Sequence, residues 1–167
     1  MRNKRKPALR LISETIPDEF ILNPVCVFDV FEATDEFFDE NFRGAIRVDG
    51  ELTSDGFVTI SPDGFAFFQK VFLNAIFGES VVRLKMSTEN GVFKVESSWK
   101  IYNKISRADL ALLRSTADIS GFKMTLSEEG EFGNLTLETP IKKTPTLAIY
   151  AVSAARMREA FTRVFFF

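Results

Sequence analysis

A chain with no histidine and one cysteine has few routes to covalent chemistry. Histidine acid–base catalysis, histidine metal ligation and phosphohistidine chemistry fall away together. Cys26 has no second cysteine for a disulfide and no partners for a thiolate zinc site. It lies in the apolar run Val25-Cys26-Val27-Phe28 and reads as a buried structural thiol. Ser97 and Ser98 are neighbouring hydroxyls with no histidine to activate them. Glu128, Glu129 and Glu131 gather on a predicted turn, where solvation accounts for them better than acid–base work. The polar candidates that remain are Asn74, within Phe72-Leu73-Asn74-Ala75-Ile76, and the cations Lys70, Lys100, Lys104 and Arg107.

Composition bounds what those residues can serve. At 167 residues the length suits one domain with a substantial core. The chain is 46% apolar and 26% charged, ordinary for a globular protein. Nineteen Phe against one Trp and two Tyr read as a phenylalanine-rich core rather than an aromatic binding platform. The net charge of −2 argues against a nucleic-acid binder. The basic cluster Arg2, Lys4, Arg5, Lys6 and Arg10 reads as a solvated terminus rather than a contact for RNA or an acidic membrane. Apolar runs are too short to span a bilayer, and no apolar stretch follows the basic start as in a secretory signal. The expectation is a cytoplasmic protein without membrane insertion.

The elements that must position the candidates follow from periodicity. Residues 1–24 are mixed and broken by Pro7, Pro17 and Pro24. Residues 25–42 read as a helix, with Val27, Val30, Phe31, Phe37, Phe38 and Phe42 near helical spacing and Asp29, Glu32, Asp35, Glu36, Asp39 and Glu40 between them. Residues 45–48 and 57–60 read as strands around a turn at 49–56 that contains Gly50 and Gly56. Ser61-Pro62-Asp63 is a strong helix start, and Gly78 is placed to close that helix. Strands at 82–86 and 93–95 flank Asn90-Gly91, the favoured hairpin pair. Ser106 and Asp109 open a helix over 107–119. A second hairpin pairs 122–127 with 133–139, and 147–165 reads as a last helix. Helices alternating with hairpins predict a two-layer α/β (α+β) sandwich: one mixed, mostly antiparallel sheet with helices on one face.

From about residue 9 to 141 this order, with its wording, resembles the histidine-kinase-type ATPase domain, the Bergerat fold. Leu11-Ile12-Ser13 through Asn23-Pro24-Val25 resembles the entry segment, and Phe28-Asp29-Val30-Phe31-Glu32 the opening helix. Ile60-Ser61-Pro62-Asp63-Gly64-Phe65 leads into the counterpart of the asparagine-bearing helix, centred on Asn74. Ser120-Gly121-Phe122-Lys123-Met124 resembles the glycine turn into a strand, and Leu135-Thr136-Leu137-Glu138-Thr139-Pro140-Ile141 the closing strand. The resemblance implies a 1–24 extension, an ATPase-like domain over 25–141, and a linker and helix over 142–167 that pack on it.

The resemblance also implies where ATP chemistry would sit. In that family a helix asparagine helps to hold the phosphate-bridging magnesium, an Asp-x-Gly-x-Gly loop reads adenine, and glycines at a helix start cradle phosphate. Asn74 is the one such position kept, as a vestigial nucleotide and magnesium residue. Lys70 replaces a frequent second asparagine, and Phe77 a frequent cation. Ser97-Ser98-Trp99-Lys100-Ile101 stands at the adenine loop, and Arg107-Ala108-Asp109 at the phosphate glycines. The lid shrinks to a few residues around Tyr102-Asn103-Lys104. An aspartate in that first turn would repel phosphate. The implied function is a catalytically inactive ATPase-like domain, a protein-interaction or regulatory module of bacterial two-component signalling, with no catalytic residue, metal or cofactor. The alternative is a nucleotide-binding kinase or ATPase of the anti-sigma-factor or histidine-kinase type using ATP and magnesium, with Lys70, Lys100, Lys104 and Arg107 supplying charge. The terminal Phe165-Phe166-Phe167 either pack on the domain or form an interface for a partner or homodimer.

Overall fold

Pro24 favours extended backbone for itself and for the residue before it, so the apolar run at 23–26 begins as a strand. In the computed structural model, which describes residues 20–53, 55–76 and 81–166, β1 (Asn23–Cys26) pairs antiparallel with β3 (Phe57–Ile60). The helix expected from residue 25 therefore starts two residues later, as α1 (Val27–Asn41), and Val25 and Cys26 belong to the strand. Val27, Val30, Ala33, Thr34, Phe37 and Phe38 form the buried stripe of α1, at the three-and-four spacing of a helix face. Phe77, Gly78, Phe167 and the amino-terminal basic cluster lie outside the described residues.

Four further strands form the main sheet with β2 (Ile46–Glu51): β4 (Val82–Glu89), β5 (Val92–Lys100), β6 (Lys123–Ser127) and β7 (Phe132–Pro140), in the order β2-β4-β5-β7-β6. Only β2 and β4 run parallel; the other neighbours are antiparallel. The one sheet expected from sequence is in fact two, because β3 leaves the main sheet to pair with β1. Gly50 is not in a turn either: β2 runs through it to Glu51. A Cβ at Gly50 would lie 2.7 Å from the Phe31 ring, so this glycine lets α1 approach the strand.

Alternation fixes the two faces of the sheet. Leu84, Met86, Val95, Leu135 and Leu137 are buried on one side, while Arg83, Lys85, Glu96 and Asn134 are exposed on the other. The buried face receives the helices. α2 (Pro62–Ala75) starts as the sequence predicts, with the Ser61 hydroxyl accepting from the Gly64 N–H at 2.9 Å and Pro62 in its first turn. It buries Phe65, Phe68 and Phe72. α3 (Arg107–Ile119) packs against α2 and buries Leu113, Thr116 and Ala117. Asn90 and Gly91, both at positive φ (52° and 73°), make the tight β4–β5 turn with the twist that a hairpin needs.

The last predicted helix is broken. A short α4 (Leu147–Tyr150) is followed by an extended Ala151 and by Val152, whose N–H donates to the Pro24 carbonyl at 2.8 Å. Val152 is buried and bridges Val25 in parallel, so a β-branched residue extends the small sheet instead of continuing a helix. The Ser153 hydroxyl then accepts from the Arg156 N–H, and α5 (Ala154–Phe166) begins. α5 packs against both α1 and α2 and buries Met157, Ala160 and Phe161.

Candidate functional site

Asn74 stands in the last turn of α2 with an exposed side chain that makes no hydrogen bond to the described residues. Its neighbours on the helix, Phe72 and Ala75, are buried, which fixes the side of α2 that faces the core. Lys70, one turn earlier, is already engaged: its Nζ donates to the Val164 carbonyl at 3.0 Å. That bond satisfies a carbonyl of the final turn of α5 and places a cation where the helix dipole favours one.

The strand next to this helix is equally committed. At the adenine-loop position β5 continues without interruption, pairing Ser98 with Arg83 on one side and Trp99 and Lys100 with Gly133 and Phe132 on the other. Ser98 is held in two ladders, and Trp99 and Lys100 in the β7 ladder, so these backbone groups are engaged in the sheet. The Trp99 side chain turns inward and is 2% exposed, its ring 5.0 Å from that of Phe72 in an edge-to-face arrangement. A Cβ on Gly133 would lie 2.3 Å from the indole, so the ring rests directly on the β7 backbone. Trp99 thereby fills the layer between α2 and the sheet. Its Nε1 has no partner among the described residues.

The start of α3 offers little to phosphate. The Ser106 hydroxyl accepts the Asp109 N–H at 3.1 Å, and the Glu128 carboxylate accepts the Ile105 N–H at 2.9 Å. Acidic groups of the chain thus stand where an anion would otherwise bind a helix terminus. Glu128 has a structural bond, while Glu129 and Glu131 are exposed. Ser97 is buried in register with Leu84 and Leu135, with no base beside it. Cys26, expected to be buried, is half-buried at the end of β1, where its thiol donates to the Asp55 carbonyl at 3.7 Å. The four cations do not converge: Lys100 lies on the open face of the sheet, Lys70 is bound to α5, and Lys104 and Arg107 are exposed on the segment entering α3. No group of three acidic or cysteine side chains that could hold a metal occurs among the described residues.

The acidic side of α1 is partly engaged. Glu36 forms an ion pair with Arg158 of α5, and Asp39 with Arg43 at 3.4 Å. Partial burial, then the charges of Asp39 and Asp49, raise the Asp35 carboxyl above its ordinary value; burial, then Glu32, does the same for Asp29. Phe165 is half-buried against Phe37, 5.0 Å between rings, and against Phe38 and Phe42. Phe166 reaches Phe37 at 5.9 Å yet stays 53% exposed. The sequence reading missed one feature. Arg47, Arg83, Lys100, Val81, Tyr102 and Phe132, from four separate segments, line a cavity of about 450 Å³ on the open side of the sheet. Only the strand register could have brought them together.

At the level of sequence, no family model and no curated protein matches the chain. Solved structures do. The catalytic domain of histidine kinase ThkA aligns with a TM-score of 0.52 at 12% identity, covering 74% of this chain and 99% of that one. The ATP-binding domain of PrrB from Mycobacterium tuberculosis gives 0.52 at 16%, over 73% and 98%. The Acinetobacter baumannii histidine kinase AdeS gives 0.50 at 14%, over 81% and 76%. The fold is therefore that of histidine kinase ATPase domains, a mixed α+β arrangement with a mostly antiparallel five-stranded sheet. No helix among the described residues is long and apolar enough to cross a membrane.

Proposed function

We propose that this chain uses the histidine kinase ATPase fold as a catalytically silent interaction or regulatory module in bacterial signalling, acting on a protein partner or a second copy of itself. The observation that carries this reading is Trp99. An indole packed on Gly133 and Phe72 occupies the layer beside the asparagine-bearing helix, on a strand whose backbone is paired with β7 at that position. A nucleotide pocket there needs small residues and an acid facing the base; bulk stands in their place. The self-satisfied start of α3 and the engaged Lys70 support the same reading.

A ligand that binds only the native state must raise the melting temperature. No magnesium-dependent rise in Tm is expected at millimolar ATP. A rise that requires magnesium and disappears in Asn74→Ala would establish the nucleotide-dependent reading and overturn this one.

A further inference from the structure

We infer that the cavity on the open face of the main sheet docks an acidic segment of a partner protein, one with an aromatic or aliphatic side chain flanked by carboxylates. The inference rests on the interaction-module reading and deepens it by naming a surface and a partner chemistry. It starts from an unfavourable arrangement. Arg47 of β2 and Arg83 of β4 are direct partners in the parallel register, so two guanidinium-bearing side chains leave adjacent strands side by side. Like charges in that position destabilise a sheet. Neither arginine forms an ion pair with any described residue, whereas Lys85, two positions along β4, is matched by Glu51 at 3.3 Å. A carboxylate supplied from outside would relieve the repulsion, and the guanidinium fork is built to receive one.

The surroundings of that pair decide between ligand classes. Lys100 lies 5.8 Å from the centroid of the Tyr102 ring, and its register partner on β7 is Phe132. Tyr102, Phe132 and Val81 are 59%, 56% and 48% exposed, large apolar groups left in water around the cations. Arginine and tyrosine beside apolar surface make up the composition of protein-interface hot spots. A membrane surface would call for a broader field of four to eight cations, roughly, where this cavity has three. The volume of about 450 Å³ suits one large side chain with its flanking charges.

The test uses the full chain and a capped pentapeptide of sequence DEFDE, with NQFNQ as its uncharged counterpart, in isothermal titration calorimetry. DEFDE is expected to bind and NQFNQ is not. Arg47→Gln and Arg83→Gln should each weaken DEFDE binding about tenfold, and 0.5 M salt should weaken it further because exposed charges are screened at that ionic strength. The same substitutions should hold or raise Tm, since they remove like-charge repulsion; weaker binding with unchanged Tm therefore reports the surface and not unfolding. Equal binding of NQFNQ, or equal binding of DEFDE to the double variant, overturns the inference. So does a response to inorganic pyrophosphate or to phosphatidylserine vesicles with none to DEFDE. Failure of the peptide leaves the ATP response of the chain unchanged, so the two readings fall separately.

Discussion

At the scale of single residues, Trp99 and Gly133 form one unit. The indole is nearly fully buried and the glycine beneath it has no room for a methyl group, since a Cβ would come within 2.3 Å of Cζ2 and 2.5 Å of Cε2. Those atoms belong to a rigid ring held by Phe72, so the neighbour has little freedom to move aside. Gly133→Ala is expected to cost about 1–3 kcal/mol, the range for overpacking a tight core. In a Trp99→Leu background the added methyl gains space and most of that cost should vanish, which urea melts of the two singles and the double would show. An equal penalty in both backgrounds would mean that the glycine serves the backbone of β7 and not the ring. The outcome bears on function, because the tryptophan can block a base only if it is held in place. From sequence, Trp99 was readable as a departure from an adenine loop, but its orientation was not. Strand alternation turns Trp99 inward and Lys100 outward, and that depends on β5 extending to Lys100.

Elements were legible where local chemistry alone determines them. α2 begins at a serine cap, a proline and an acid, and the structure keeps all three in those roles. The Asn90-Gly91 turn and the Ser106 cap are likewise local, and each appears where the residues predict. What could not be read were choices settled by distant contacts. Gly50 looked like a turn because its reason for being a glycine, the Phe31 ring, lies on another element. Residues 147–165 looked like one helix because Val152 is drawn out of it by Pro24 and Val25, more than a hundred residues earlier. The arginine pair was invisible for the same cause, since the register of β2 with β4 has no signature in either strand alone. A prediction at this scale tests the local rule. Ser61→Ala removes a buried cap that accepts the Gly64 N–H, and should lower stability by about 1–2 kcal/mol while Ser61→Asn, which keeps an acceptor, loses less. Chemical denaturation of both variants checks the ordering; equal losses would show that the site is limited by space and not by the cap.

For the whole molecule, the unresolved choice in the sequence was whether the terminal phenylalanines close the fold or face a partner. Among the described residues, α5 buries its phenylalanines in gradations. Phe161 is fully buried and stacks on Phe37 at 5.0 Å with edge contacts to Phe38 and Phe65, so it joins α5 to both α1 and α2. Phe165 is half-buried on the same cluster, and Phe166 keeps half its surface in water. Lys70 bonded to the Val164 carbonyl, together with the Glu36–Arg158 and Asp63–Arg163 pairs, orients the helix without adding much apolar burial. The exposed Glu36–Arg158 pair contributes at most about 1 kcal/mol, so the buried phenylalanines are expected to carry most of the hold on α5. Phe161→Ala should therefore cost about 3–5 kcal/mol, as for other buried aromatic truncations, Phe165→Ala less, and Phe166→Ala little. Stability and association then separate cleanly. If Phe166 belongs to an interface between copies, its alanine variant should keep its Tm but shift the mass measured by light scattering at high concentration toward the monomer. If the mass is that of a monomer for the unaltered chain as well, the exposed edge of Phe166 is only the rim of the core, and the proposed docking surface is left to the open face of the sheet.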